Sequence, residues 1–332
     1  MPGVNRRERV LAALHGEAVD RVPISFWGHH YVAENSADGL AQETLRQARA
    51  FDWDYLKPQS RAQSFAEMWG LTYTPSHAAD QKYATTRVPL SGAADLSRLE
   101  PAEPTTGALG EQLEALRQIR AGVGGEVPII WTVFSPLMVA RYLLQGNGAQ
   151  LLEIARSDPR ALTVGLQAIA ETLAGYVREC LRNGADGVFY ATNLATRGQL
   201  TPEECQRFQR PYDLAVLAAA EGAPFNVMHV CGEEALFDAF ADYPVAAFSW
   251  AAGGANPSLL DGHRRTGKAS LGGLPKDLGG MTAAAIADQV RAAIAEMNAR
   301  WLLLGPGCSI DIRTPEDLLL AARAAANSSK DT

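Results

Sequence analysis

The sequence predicts an α/β protein built as a (β/α)8 TIM barrel, and three observations lead there. Short apolar runs alternate with longer amphipathic stretches along the chain, eight such runs can be counted, and most connections are short. A doubly wound sheet is the competing arrangement. It ordinarily leaves a glycine-rich phosphate loop after its first strand, whereas this chain continues Trp27-Gly28-His29-His30-Tyr31. The 332 residues are read as one domain, 1–332, since barrels of this kind commonly exceed the usual domain size.

Taken in order, the expected strands are 22–27, 54–57, 127–134, 187–191, 225–230, 246–250, 269–271 and 301–304. The expected helices are 40–51, 107–121, 136–144, 158–183, 202–221, 233–240, 257–265 and 283–299. Several starts carry a capping residue followed by proline or an acidic first turn: Ser157-Asp158-Pro159, Thr201-Pro202-Glu203-Glu204 and Thr314-Pro315-Glu316-Asp317. One region breaks the alternation. Residues 60–109 hold Thr72-Tyr73-Thr74, Tyr83-Ala84-Thr85-Thr86-Arg87-Val88 and two prolines, Pro101 and Pro104, the signature of a hairpin and loop inserted after strand two. An insertion at the carboxyl end of a strand would roof the barrel mouth. The last residues, 324–332, become small and polar and are expected to fray.

Hydrophobic content of 47% and charged content of 20% leave ample material for a core. A formal net charge of -7, with arginines scattered rather than striped, argues against a general nucleic-acid binder. The charged amino terminus and the lack of a long apolar stretch predict a cytoplasmic protein with no membrane segment. Four cysteines in a chain this long do not form a disulfide framework. Cys180 and Cys205 fall within helical patterns and read as packing residues.

The other two cysteines carry the chemistry. His229-Val230-Cys231-Gly232 closes the strand at 225–230, and Cys308 closes the run Trp301-Leu302-Leu303-Leu304-Gly305-Pro306-Gly307. Residues i and i+2 of a strand point the same way, so His229 and Cys231 can reach one ion together. In a barrel both strand ends lie at the carboxyl mouth, where Cys308 supplies a third ligand. Three ligands of the set His, Cys, Cys with a fourth position open describe a catalytic zinc rather than a structural one. The plainer reading is a core histidine with two buried thiols, but chance gives such a trio little reason to meet at the mouth.

These residues carry a resemblance. The chain resembles the uroporphyrinogen decarboxylase superfamily, and within it the zinc-dependent methylcobamide:thiol methyltransferase branch typified by the methylcobamide:coenzyme M methyltransferases. Arg6-Arg7-Glu8-Arg9-Val10-Leu11-Ala12-Ala13-Leu14-His15-Gly16 and Asp20-Arg21-Val22-Pro23-Ile24 are similar to that family's start. Thr201-Pro202-Glu203-Glu204 leading to Phe208 and Arg210-Pro211-Tyr212 resembles the helix before its metal strand. His229-Val230-Cys231-Gly232 and Gly305-Pro306-Gly307-Cys308 match the branch's metal motif, and the likeness covers nearly the full chain.

The resemblance implies a methyltransferase that moves a methyl group from a methylated corrinoid to a zinc-activated thiol. True uroporphyrinogen decarboxylases hold eight substrate carboxylates with an arginine-rich amino-terminal loop, and Phe26-Trp27-Gly28-His29-His30-Tyr31 offers no arginine pair. Decarboxylation of a smaller polycarboxylate on the same scaffold is the alternative, and a non-enzymatic accessory barrel binding corrinoid or zinc is a third. No corrinoid motif is present: Asp261-Gly262-His263-Arg264-Arg265-Thr266-Gly267 places its glycine one position late and reads as a solvated helix. The corrinoid is therefore expected free or on a partner protein docking over the mouth, with a small thiol as the other partner and no nucleic acid or membrane.

Weaker substrate-binding candidates sit at other strand ends. They are His29, His30, Tyr190, Asn193 and Trp250, with Tyr31, Lys57, Gln59 and Thr192 beside them. Trp27 and Trp250 are candidate walls of the mouth, Arg197 and Arg313 candidate anion holders. Glu233 or Glu234 is a candidate for the open metal position, against the plainer role of complementing a helix start. Each assignment depends on strand register, and a slip of one residue reverses it.

Overall fold

A computed structural model describes residues 4–144 and 146–327. In chain order the strands are β1 (Thr72–Thr74) and β2 (Ala84–Arg87), an antiparallel hairpin, then β3 (Ile130–Phe134), β4 (Gly187–Thr192), β5 (Val227–Val230), β6 (Ala247–Ser249), β7 (Ala269–Leu274) and β8 (Leu302–Pro306). Strands β3 to β8 form one parallel sheet in sequence order. Helices connect most of them, as the crossovers between parallel strands require.

The first two expected strands close the ring without becoming regular ladders. Ile24 bridges Leu304 of β8, and Leu56 bridges Ile129 just before β3. Five backbone hydrogen bonds carry the closure: Leu304 N to Pro23 O (2.8 Å), Ser25 N to Leu304 O (3.1 Å), Asp54 N to Ile24 O (3.0 Å), Leu56 N to Pro128 O (2.8 Å) and Ile130 N to Leu56 O (2.9 Å). Pro23, Pro58 and Pro128 have no N–H to donate, which keeps these segments from extending their pairing. The (β/α)8 reading holds, with two irregular staves.

Several helices differ from expectation, each for a local reason. The stretch 202–221 is two helices, Pro202–Phe208 and Arg210–Ala218, because Pro211 can continue no i to i−4 bond and disfavours helical geometry just before it. Only a short 3₁₀ turn, Phe237–Phe240, forms within 233–240, after Gly232 and Glu234 take positive φ of 120° and 50°. Helix Gly148–Ser157 lies outside the expected set; Asn147 caps it, accepting from Gln150 N at 3.1 Å. Helix Arg6–Leu14 is a further addition, started by a capping box between Asn5 and Glu8. The carboxyl-terminal helix Glu316–Asn327 runs through 324–327, so no fraying begins there: Ala325 and Ala326 are buried. Residues 328–332 lie outside the described residues.

Along β4 the alternation is strict, with Phe189 and Ala191 facing the barrel interior and Tyr190 facing the helices. Tyr190 donates to Asp213 Oδ1 at 2.6 Å and Tyr243 donates to Oδ2 at 3.0 Å, so one fully buried carboxyl ties β4 to helix Arg210–Ala218. Burial pushes this carboxyl up to about 7, against the lowering effect of its hydrogen-bond donors. The folded protein therefore keeps a proton that the unfolded chain releases near pH 4. The resulting stability is full below that pH and is lost as pH rises through about 7. Over this window the contribution amounts to as much as about 4 kcal/mol. Asp213→Asn retains an acceptor and a donor for the two tyrosines, and its stability is expected to fall less than that of the native protein between pH 4 and pH 7. Urea melts at the two pH values check this; parallel shifts in both proteins would refute it.

Candidate metal centre

The parallel register places Ala191, His229 and Ser249 in one row across β4, β5 and β6, all facing inward. His229 is buried, its ring stacked on Phe189 with centroids 4.9 Å apart. Its Nδ1 lies 3.1 Å from Ser249 Oγ, which leaves Nε2 as the nitrogen free for a metal. Cys231 follows two residues later on the same side, its N–H donating to Thr192 O at 2.9 Å. The chain then turns at Gly232, where a Cβ would stand 2.7 Å from Thr196 Cγ2 and φ is 120°. Only glycine fits that exit from β5.

Cys308 arrives from the far side of the ring. Gly307 N donates to Leu274 O at 2.9 Å, and a Cβ on Gly307 would come within 2.9 Å of Ala251 Cα, so backbone packing fixes the approach. The ligand atoms of His229, Cys231 and Cys308 all lie within 4.8 Å of one another. Two thiols this close share a proton: the Cys231 hydrogen bond and neighbouring His229 hold Cys308 well below the usual thiol range, while the same bond and burial push Cys231 up. Zinc with bonds of about 2.3 Å to sulfur and about 2.0 Å to nitrogen wants such atoms about 3.5–3.8 Å apart. The three residues fit that ion in donor type and proximity, and one histidine with two cysteines is among the donor sets of open catalytic zinc sites.

The triad opens into a cavity of about 170 Å³ at the barrel mouth. Trp27, His29, Lys57, Gln59, Thr132 and Phe189 line it together with the triad, as do Thr192 and Asn193. Lys57 is buried, its ammonium 4.8 Å from the Phe189 ring centroid and 5.7 Å from that of Trp27. Burial pushes Lys57 down to about 7, with Cys308 and Glu34 pulling back.

Of the expected substrate residues, the structure brings His29 and Asn193 to this cavity and leaves three elsewhere. His30 turns away, its Nδ1 accepting from Ala33 N at 3.1 Å beside a separate small pocket. Tyr190, two residues before the end of β4, faces outward to Asp213, the reversal that a one-residue slip of register produces. Trp250 packs under helix Leu259–Thr266, where Gly262 leaves room for its ring, and donates to Pro257 O at 2.9 Å. It walls no mouth, whereas Trp27 does.

The other candidates sort as plainly. Arg313 pairs with Asp311 at 2.6 Å on the surface. Arg197 and Glu234 line a separate outer groove, and neither Glu233 nor Glu234 reaches the cavity. His263 is half-buried rather than solvated, stacked on Trp301 and bonded to Lys268 O at 2.8 Å. Cys180 and Cys205 are buried packing thiols. Within 60–109 the hairpin loop bonds the mouth through Tyr31 N to Ala79 O (2.9 Å), but only Ala62 of that region lines the cavity. Sequence reasoning missed Phe189, Thr132 and Ser249. Phe189 was legible from alternation, two residues before Ala191; Ser249 depends on cross-strand register, which the sequence does not display.

Fold and site together define a (β/α)8 barrel with a His-Cys-Cys cluster at its carboxyl mouth. The chain belongs to the uroporphyrinogen decarboxylase (URO-D) family, which it matches over residues 5–328. Among curated proteins it is similar to the uroporphyrinogen decarboxylases of Pseudoalteromonas atlantica, at 28% identity over 53% of this chain and 49% of that one, and of Aliivibrio salmonicida, at 26% over 62% of each. The chain thus spans about half to three-fifths of these relatives. Among solved structures a methyltransferase from Methanosarcina mazei superposes with a TM-score of 0.79 at 18% identity, over 97% of this chain and 98% of that one. A B12-independent methionine synthase from Shewanella superposes with a TM-score of 0.62 at 14% identity, over 92% and 97%. At these identities the likeness is one of fold. Among the described residues no helix is long and apolar enough to cross a membrane.

Proposed function

We infer that this protein is a zinc-dependent methyltransferase that transfers a methyl group from a methylated corrinoid to a small thiol. The convergence of His229, Cys231 and Cys308 within 4.8 Å carries the reading. A zinc ion held by this triad would supply the positive charge that lets a thiol enter as thiolate near neutral pH. The chain's own residues do the rest. Ser249 orients the His229 ring, Phe189 backs it, and the backbone turns at Gly232 and Gly307 fix both cysteines before any ligand arrives. The apolar faces of Trp27, Phe134 and Phe189 keep water from the reacting sulfur and hold it for attack.

The names of the curated relatives favour a second reading, decarboxylation. The lining weighs against their substrate: no arginine among the described residues lines the cavity, and a substrate with many carboxylates needs fixed cations around it. The buried Arg61 is occupied by Glu67 and Glu111 at 2.8 and 2.9 Å. The corrinoid, for which the chain carries no motif, comes free or on a separate protein docking over the mouth. Incubating zinc-loaded protein with methylcobalamin and a panel of thiols, while following the cobalamin spectrum, tests the reading. Thiol-dependent demethylation is expected; release of carbon dioxide from small polycarboxylates with no demethylation by any thiol would establish the alternative.

A further inference from the structure

Four cations are buried among the described residues, and three have carboxylate partners. Arg9 pairs with Asp20 and Asp54 at 2.7 and 3.0 Å, Arg61 with Glu67 and Glu111, and Arg323 with Asp52 at 2.6 Å. Lys57 is the fourth, and no carboxylate lies within ion-pair distance of it. It faces the cavity of the His-Cys-Cys triad. A buried cation without a counter-ion is costly unless something else satisfies it.

What holds Lys57 in place is a directed hydrogen-bond relay. Its ammonium donates to Gln59 Oε1, so the Gln59 amide nitrogen faces His29 Nε2, 2.8 Å away. That nitrogen must then accept, which leaves the proton on Nδ1 to bond Glu34 at 2.8 and 3.0 Å. Glu34 is itself buried and takes a further hydrogen bond from Tyr83. The relay runs in one sense, donor to acceptor, from a cavity cation to a carboxylate outside the cavity. It spends the Glu34 charge on His29 and Tyr83 and leaves the Lys57 ammonium with the ring faces of Phe189 and Trp27 and, among the described residues, Gln59 as its one hydrogen-bond acceptor. In the same cavity the buried Thr132 hydroxyl has no hydrogen-bond partner within the protein.

We propose that Lys57 is the specificity-determining residue of this cavity, binding the anionic group of a small ligand whose other end meets the triad, and that Gln59, His29 and Glu34 are its positioning residues. The identity of that other end as a thiol rests on the function proposed above; recognition of the anion by Lys57 does not. Carboxylate, sulfonate and phosphate share the required chemistry, and all are accepted by an ammonium backed by a hydroxyl donor.

Calorimetric titration of the zinc-loaded protein tests the proposal, with 3-mercaptopropionate and uncharged 2-mercaptoethanol as the probes and propionate as the thiol-free arm. Native protein is expected to prefer 3-mercaptopropionate to 2-mercaptoethanol by about 10- to 100-fold. Lys57→Met is expected to reduce that preference to less than about threefold at unchanged zinc content and unchanged 2-mercaptoethanol affinity, and Lys57→Arg to restore part of it. Gln59→Leu, which leaves the cation in place but unanchored, is expected to weaken 3-mercaptopropionate about tenfold and 2-mercaptoethanol not at all, a split that general loosening would not give. Replacing propionate by a sulfonate or phosphate of similar length identifies which anion fits best. A preference surviving intact in Lys57→Met, or in Gln59→Leu should the first variant not fold, overturns the proposal and leaves the thiol reading standing. Lys57-dependent propionate binding with no thiol binding has the opposite meaning: the anion site stands and the thiol reading fails.

Discussion

Replacing Cys308 by alanine is expected to empty the protein of zinc and to lower methyl transfer by about 10³-fold or more. The magnitude follows from what a Lewis-acidic ion contributes to such chemistry, several kcal/mol, at about 1.4 kcal/mol for each factor of ten. Two-ligand zinc sites are weak, and the remaining pair, His229 and Cys231, sit on one strand with nothing across the mouth to complete the coordination. Cys205→Ala and Cys180→Ala provide the controls. Both remove a buried sulfur and cost some packing, yet neither is near the cavity, so zinc content is expected to stay at one per chain. Zinc measured on the purified variants, alongside thermal melts, separates ligand loss from unfolding. A Cys308→Ala protein that retains stoichiometric zinc would remove the triad from the proposed function altogether.

The triad was legible in the sequence because neither of its two rules needs cross-strand register. The i, i+2 parity of a strand places His229 beside Cys231, and the barrel rule sends every strand's carboxyl end to one mouth. Cys308 came within reach by the second rule alone. What failed were the inferences that needed register. Tyr190 lies inside β4 and Trp250 just past β6, and both point outward, because parity counted from an uncertain boundary is a coin toss. Ser249 was invisible for a deeper reason: its pairing with His229 exists only between strands 20 residues apart. The relay behind Lys57 is of the same kind, assembled from the loop after the first stave and the end of the second. The two irregular staves also escaped, since Pro23 and Pro58 sit in runs whose hydrophobicity reads as ordinary strand.

Family membership and site composition carry different weight here. The barrel and its helices are what the URO-D family supplies, and the same scaffold accommodates unrelated reactions at its mouth. The chemistry resides in a handful of inward positions on the strand ends. At those positions this chain places a soft-metal ligand set and a single lysine. An array of arginines for many carboxylates is a different solution, and no arginine among the described residues lines this cavity.

Asp54→Asn is expected to destabilise the fold by about 3–5 kcal/mol, a large part of the 5–15 kcal/mol typical of a whole domain. The reason is that Asp54 does at the seam what a β-ladder does elsewhere. Its backbone N–H donates to Ile24 O at 3.0 Å while its Oδ2 accepts from Ile24 N at 3.0 Å, so one residue ties the first two staves in both directions. The same carboxylate, fully buried, accepts from Arg9 at 3.0 Å and from Arg21. Neutralising it leaves two guanidinium groups, both largely buried, short of the charge that justified their burial. Asp20→Asn is the matched control, for it also touches Arg9 but is about a third exposed, and its cost is expected to stay near 1 kcal/mol. Urea melts of the two variants check the difference, and equal losses would show that Asp54 is merely one more salt-bridge partner. The seam also bears on function. Trp27 and Lys57 lie three residues beyond Ile24 and Asp54 on the same two staves, so a variant that loosens this link is expected to bind the anionic probe more weakly while its zinc content, set by β5 and β8, remains unchanged.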